Sequence, residues 1–195
     1  MNDAFYDLIT RRRTIRRFKQ TILERPALLK WINAGRLAPS AANRQPLEYL
    51  IVDEDALTAE TFTCLSWAGY IKPRGTPPEG ERPAAYIVVL VNKNIRETGF
   101  EYDAGAAIEN IILAALADGV GSCWISSVDR PRLSEILEIP EDRYIASVIA
   151  LGIPGESPTT VEAADSIKYW KDDKEQLQVP KRKIESITYT NRFRS

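Results

Sequence analysis

Arg11-Arg12-Arg13-Thr14-Ile15-Arg16-Arg17-Phe18 packs five arginines into seven residues and then stops on an apolar side chain. The whole chain carries 26 basic and 27 acidic residues, a formal net charge of −1, so the cluster does not come from a generally basic composition. Like charges this close repel one another, and an anion relieves them. A guanidinium fork meets a phosphate with two parallel charge-assisted hydrogen bonds, and Thr14 adds a hydroxyl. Two readings stand at this point, a phosphate grip and a solvated turn at a helix end. Upstream, Phe5, Leu8 and Ile9 recur at helical spacing behind an Asn2-Asp3 cap. The cluster therefore ends a helix, where cations suit the macrodipole, which favours the plainer reading.

Composition narrows the function further. At 195 residues the chain suits one domain with a sizeable core; 44% of residues are apolar and 27% charged. No run approaches the roughly 18 apolar residues of a membrane span. The N-terminus has no basic and apolar leader pattern. Cys64 and Cys123 are far apart, so two free thiols in a reducing, cytoplasmic setting are expected. Near-neutral charge argues against a broad nucleic-acid surface. Histidine is absent, which removes His-based triads, the usual zinc sets and an imidazole base. An enzyme built this way leans on other side chains or on a cofactor.

Along the chain, a second helix is predicted from near Pro26, with Leu28, Leu29, Ile32 and Leu37 inward. Ala38-Pro39-Ser40-Ala41-Ala42-Asn43-Arg44-Gln45-Pro46 reads as a rigid turn that admits something close to its backbone. A strand at 49–52 and a helix at 56–65 follow. Trp67, Tyr70 and Lys72 begin a Pro/Gly-rich stretch to Pro83, of the kind that lines sites. Ala85–Val91 is a continuous apolar run, a strand covered on both faces. An apolar helix over 102–118, a strand at 122–125, a helix at 131–137 capped by Asp129, and a strand at 144–151 complete a core of residues 1–155. Residues 156–195 have no core of their own and read as an extended arm for a partner subunit, with a second basic knot at Lys181-Arg182-Lys183. The class is α+β, a mixed sheet flanked by helices.

Three motifs now stand in order: Arg12–Phe18, Ala38–Pro46 and Gly119-Val120-Gly121-Ser122-Cys123-Trp124-Ile125. Together with the long central helix, the Leu151-Gly152-Ile153-Pro154 strand end and the Ile167–Trp170 and Pro180–Arg182 tail, they resemble the nitroreductase family of FMN-dependent flavoproteins. The resemblance implies a mainly antiparallel sheet, a homodimer with FMN at the subunit interface, and a C-terminal arm exchanged onto the neighbour. It places Arg12, Arg13 and Thr14 at the phosphate and Arg16 at the flavin pyrimidine. Pro39, Ser40, Ala41 and Asn43 go to the ring or ribityl chain, and Ile125, Ser126 and Ser127 beside the ring. Lys181 and Arg182 add phosphate contacts, with Arg192 as an alternative. Trp67, Tyr70 and the Lys72–Arg74 stretch are read as a lid, with core packing of the two aromatics as the alternative.

That resemblance implies hydride passing from NAD(P)H through the flavin to a small electron acceptor: a nitroaromatic, a quinone or an activated alkene. No side-chain nucleophile is needed, which suits a chain without histidine. Two departures border the ring site, Leu47-Glu48 where an aromatic often follows the Gln-Pro pair, and Ser126-Ser127 at the strand end. Three other readings stand beside it: oxidation or dehalogenation of a small aromatic, a non-catalytic flavin-binding redox sensor, and nucleic-acid binding through the arginines.

Overall fold

Residues 3–193 are described by a computed structural model. Asn2 of the expected first cap and the terminal Arg194-Ser195 lie outside them. The core is one antiparallel sheet between two layers of helices. Its strands are β1 (Phe18–Lys19), β2 (Leu47–Val52), β3 (Ala85–Asn92), β4 (Gly121–Ile125) and β5 (Arg143–Pro154). They run in the order β2-β3-β5-β4, with β1 on the last two residues of β5. The sheet is antiparallel throughout rather than mixed; parallel pairing at strand length occurs only in the tail.

The apolar run of β3 is covered on both faces. Tyr86, Val88 and Leu90 face a cluster with Phe62, Trp67, Cys123, Leu133 and Val148. That layer comes from α3 (Asp55–Thr63) and α5 (Arg130–Ile136), whose Asp129 cap accepts from the Arg132 N–H at 3.3 Å. Ala85, Ile87 and Val89 face Leu28, Trp31, Ile108 and Ile111 from α2 (Arg25–Arg36) and α4 (Glu101–Ala117). Each fully buried Ile or Leu here contributes about 1.5–3 kcal/mol.

The inward face of α2 differs from expectation. Leu28, Trp31 and Gly35 are buried, while Leu29 and Leu37 are exposed. The indole N–H of Trp31 donates to Asp118 at 2.7 Å, which lets a large polar-edged ring turn inward. Gly35 is small because α4 crosses there: a Cβ would meet Ile111 Cγ1 at 2.7 Å. Helix α1 (Asp3–Arg11) buries no residue, and its Phe5, Tyr6 and Ile9 are exposed.

Two further expectations are corrected. Trp67 is not a lid residue. It is buried, stacked on Phe62 at 5.5 Å, and belongs to the core. Residues 156–195 are not simply extended either. Strands β6 (Thr159–Glu162), β8 (Leu177–Lys181) and β7 (Trp170–Lys171) form a small mixed sheet, with Leu177 buried beneath it. Among the described residues, no helix is long and apolar enough to cross a membrane.

Candidate functional site

The arginine stretch leaves α1 in extended form and is pinned by its apolar members. Ile15 is buried, its N–H donates to the Ser122 carbonyl at 2.9 Å, and Thr14 bridges Ser122 in parallel. Gly121 is needed for this seam, since a Cβ there would meet Ile15 Cγ1 at 2.8 Å. Phe18 is buried against Gly152, and the Arg17 carbonyl accepts from the Gly155 N–H at 2.7 Å. Between these pegs, one oxygen of Glu156 accepts the N–H groups of Arg16 at 2.5 Å and Arg17 at 3.2 Å. Sequence reasoning missed Glu156. Its only signal is an acid just beyond the Gly152-Ile153-Pro154 strand end.

The side chains then divide. Arg12 and Thr14 line an open groove of about 320 Å³ with Glu109, Ser122, Trp124 and Ser126. Arg12 meets one carboxylate there, Glu109 at 3.5 Å, partly exposed. Arg13 donates to the Arg12 carbonyl, and burial, then the neighbouring Arg12 cation, pull its pKa below the ordinary arginine value. Positive charge is thus in excess beside the groove. Ser126 hydrogen-bonds with Ser147 at 3.0 Å, and the Trp124 indole donates to the same hydroxyl at 2.7 Å, fixing the groove's β4 wall. Ile125 is buried behind that wall, and the Ser127 carbonyl accepts from the Ser66 N–H.

Arg16 does not enter this groove. Its guanidinium lies over Tyr169, 5.2 Å from the ring centroid, in a narrow cleft with Arg17, Arg74 and Glu156. It also lies near Cys123. Burial pushes that thiol up to about 11, with Arg16 opposing the rise. Arg17 pairs with Glu81 at 3.0 Å and donates to the Arg74 carbonyl at 2.7 Å, so it ties the 67–83 loop to the motif.

The Pro39–Asn43 turn is built on α4. Buried Asp103 accepts from the Ser40 hydroxyl at 2.7 Å and the Ala41 N–H at 3.3 Å, and pairs with Arg96 at 3.4 Å. The Ser40 oxygen in turn accepts from the Gln45 N–H at 3.0 Å. Ser40 is therefore a brace, and the exposed backbone at Ala41, Ala42 and Asn43 is what the turn presents. Ala42 and Asn43 sit at φ 53° and 52°, a conformation that side chains other than glycine adopt reluctantly. Asp103 was also missed by sequence reasoning. An acid in the first turn of an otherwise apolar helix was its only mark.

The second basic knot lies elsewhere within this chain. Arg182 donates to the Ser186 carbonyl at 2.9 Å, Lys183 pairs with Glu162 at 3.0 Å, and Lys181 is exposed at the end of β8. Arg182 and Lys183 line an open cavity with Tyr70 and Lys168, separate from the Arg12 groove. Tyr70 packs on Tyr169 at 5.0 Å; Lys72 and Arg192 are exposed. The chain thus joins Arg12, Thr14 and Ser126, and leaves Arg16, the Pro39–Asn43 turn and Lys181-Arg182 in separate places.

Set against known proteins, residues 9–153 match the model of the nitroreductase family. A protein of Archaeoglobus fulgidus, provisionally named an NADH dehydrogenase/NAD(P)H nitroreductase, is 33% identical over 81% of this chain and 90% of its own. A nitroreductase family protein from Clostridium novyi NT superposes with TM-score 0.65 at 27% identity, covering 77% of this chain and 86% of that one. An FMN-dependent nitroreductase from Clostridium difficile R20291 shares the fold, with TM-score 0.70 at 22% identity over 96% of this chain and 99% of its own.

Proposed function

The chain belongs to the nitroreductase family, and on that premise we propose an FMN-dependent oxidoreductase that passes hydride from NAD(P)H to a small electron acceptor. The observation that carries this reading is the surplus of positive charge at Arg12 and Arg13 beside a hydroxyl-lined groove. Among the described residues, one partly exposed carboxylate, Glu109, is the acid Arg12 meets there. A phosphate dianion is the ligand such a surplus suits. Bound FMN would supply the reversible two-electron chemistry, which no side chain here can.

The chain's own residues bind and orient. Arg12, Arg13 and Thr14 hold the phosphate end, and the backbone of Ile125, Ser126 and Ser127 flanks the ring. Arg16 is assigned to the pyrimidine edge, where a cation stabilises negative charge on the reduced ring; its side chain must turn from Tyr169 to get there. Pro39, Ala41 and Asn43 offer a close backbone surface, held in place by Ser40 on Asp103. The groove of about 320 Å³ lies at the small end of the range for ligand sites and is open to solvent. We assign its missing walls to a second copy of the chain, whose Pro39–Asn43 turn and Lys181-Arg182 knot complete the site in a homodimer. Exposed Phe5, Tyr6 and Ile9 on α1, and Ile184, Ile187 and Tyr189 on the tail, support such an interface. Tyr70 and Lys72 border the acceptor's entry. Nitroaromatics, quinones and activated alkenes are the proposed acceptors.

The purified protein is expected to be yellow, dimeric and bleached by NADH or NADPH without oxygen, with colour restored by one of these acceptors. A colourless monomer, or a bound flavin that neither nicotinamide reduces, overturns the proposal. An aryl halide included among the acceptors tests dehalogenation directly.

A further inference from the structure

A cavity of about 280 Å³ opens between α3 and the segment after β1, and shares no lining residue with the Arg12 groove or the Pro39–Asn43 turn. Its polar anchor is Arg82 and its apolar wall is formed by Phe62, Leu23, Pro83 and Tyr86. The Arg82 guanidinium lies over Phe62, with its carbon 4.3 Å from the ring centroid. Its Nε is buried without a hydrogen-bond partner, and among the described residues no carboxylate lies within ion-pair distance.

A half-buried arginine without an acid is unusual, because the ring face offsets only part of the hydration its guanidinium loses. The other charged lining groups do not supply the partner. Asp53 is held from both sides of its carboxylate by Arg25, Nε at 2.9 Å and Nη2 at 2.5 Å. Asp55 is exposed on the first turn of α3 and makes no ion pair. The Arg82 backbone carbonyl is occupied by Gln20, which donates at 3.0 Å, so the cavity presents the side chain and not the peptide. Among the described residues the Arg82 guanidinium has no acid partner, and its terminal N–H donors suit a planar carboxylate.

We propose that this cavity is a second ligand site, for a small carboxylate with an apolar body of about one ring, the carboxylate on Arg82 and the body against Phe62 and Tyr86. The inference does not rest on the flavin reading, since no residue is shared.

The test is calorimetric titration of the purified protein, as isolated, with benzoate. Saturable binding with a dissociation constant of about 1 mM is expected for a one-ring acid in such a pocket. Arg82→Gln should weaken it at least about tenfold, the usual scale for losing a charge-assisted bond. Arg12→Ala should leave it within about twofold, because its groove is elsewhere. Benzyl alcohol and inorganic phosphate should each bind the unaltered protein at least about tenfold more weakly than benzoate, and this arm holds even if Arg82→Gln does not fold. No saturable benzoate binding overturns the proposal. So does equal binding of either analogue, unchanged binding in Arg82→Gln, or loss of binding in Arg12→Ala.

Discussion

The two basic clusters of this chain are alike in sequence and unlike in how they are held. Arg12–Arg17 hangs between two buried pegs, Ile15 and Phe18, and its peptide N–H groups are fixed by strand β4 and by Glu156. Lys181-Arg182-Lys183 runs off the end of β8. Its backbone is tied by the Ala163 N–H on the Lys181 carbonyl at 2.8 Å and the Ser186 N–H on the Lys183 carbonyl at 3.1 Å. Its side chains make surface contacts, Arg182 with the Ser186 carbonyl and Lys183 with Glu162 in an exposed ion pair. Hydrogen bonds to a charged acceptor contribute about 1.5–3 kcal/mol each. An exposed ion pair contributes about 0–1 kcal/mol. Both backbones are therefore held by the fold, the first cluster by buried pegs and a charged acceptor, the second by surface contacts. Charge density marks both in a sequence; only the apolar residues interleaved with the charges separate them.

The largest expected effect tests that difference on the cofactor. Arg12→Ala with Arg13→Ala should lower FMN affinity by about a hundredfold or more, while Lys181→Ala with Arg182→Ala should cost less than about tenfold. Flavin fluorescence titration of the apoprotein reads both. Equal losses would mean that surface contacts organise the tail cluster as firmly as buried pegs organise the first. Both pairs should retain the unaltered protein's unfolding midpoint, since neither touches a peg.

Next comes the peg itself. Gly121→Ala places a methyl 2.8 Å from Ile15 Cγ1. Overpacking of that kind costs about 1–3 kcal/mol, visible as a lower midpoint in denaturant. Because Ile15 carries Thr14 and Arg16 on either side, the same change should weaken flavin binding. A stability loss with flavin affinity untouched would show that the peg serves the core and not the site. Glu156→Gln is milder. It keeps an oxygen for the two N–H groups but removes the charge, so about 1 kcal/mol of stability is expected to go.

Which parts of this were legible beforehand follows the same physics. β3, α4, β4 and α5 announce themselves because long apolar runs and a clear cap leave one outcome open. α1 has the right period, yet its Phe5, Tyr6 and Ile9 find nothing in their own chain; periodicity shows that a face exists and not what covers it. On α2, Leu28 is inward as expected, but Trp31 takes the place expected for Leu29 and Leu37 because Asp118, 87 residues away, satisfies its indole. The tail sheet was unreadable because its strands are short and polar, with no alternation. For Trp67 the sequence leaves lid and core packing both open, and stacking on Phe62 decides for the core. At the site, the arginines and the Pro39–Asn43 turn were visible, but the carboxylates that position them, Glu156 and Asp103, were not. Each acts through contacts more than 60 positions away, Asp103 on Ser40 and Glu156 on Arg16.

Cys123 offers the smallest and most local probe of the pinned cluster. Its thiol is buried, and burial raises its pKa to about 11, against an opposing pull from Arg16. The folded value lies above that of an unfolded cysteine, about 8.5. The stabilisation is therefore complete below that pH and is lost as pH rises toward the folded value. With no histidine in the chain, side-chain titration should leave stability nearly flat from about pH 6 to 8. It should then fall by about 2 kcal/mol by pH 10. Arg16→Leu removes the opposing cation, so the thiol should ionise at a still higher pH, seen as a shift in thiolate absorbance. An unmoved thiolate titration would place the Arg16 side chain away from Cys123 in solution. The guanidinium would then be as free as those of the tail, and the contrast between the clusters would hold for their backbones alone.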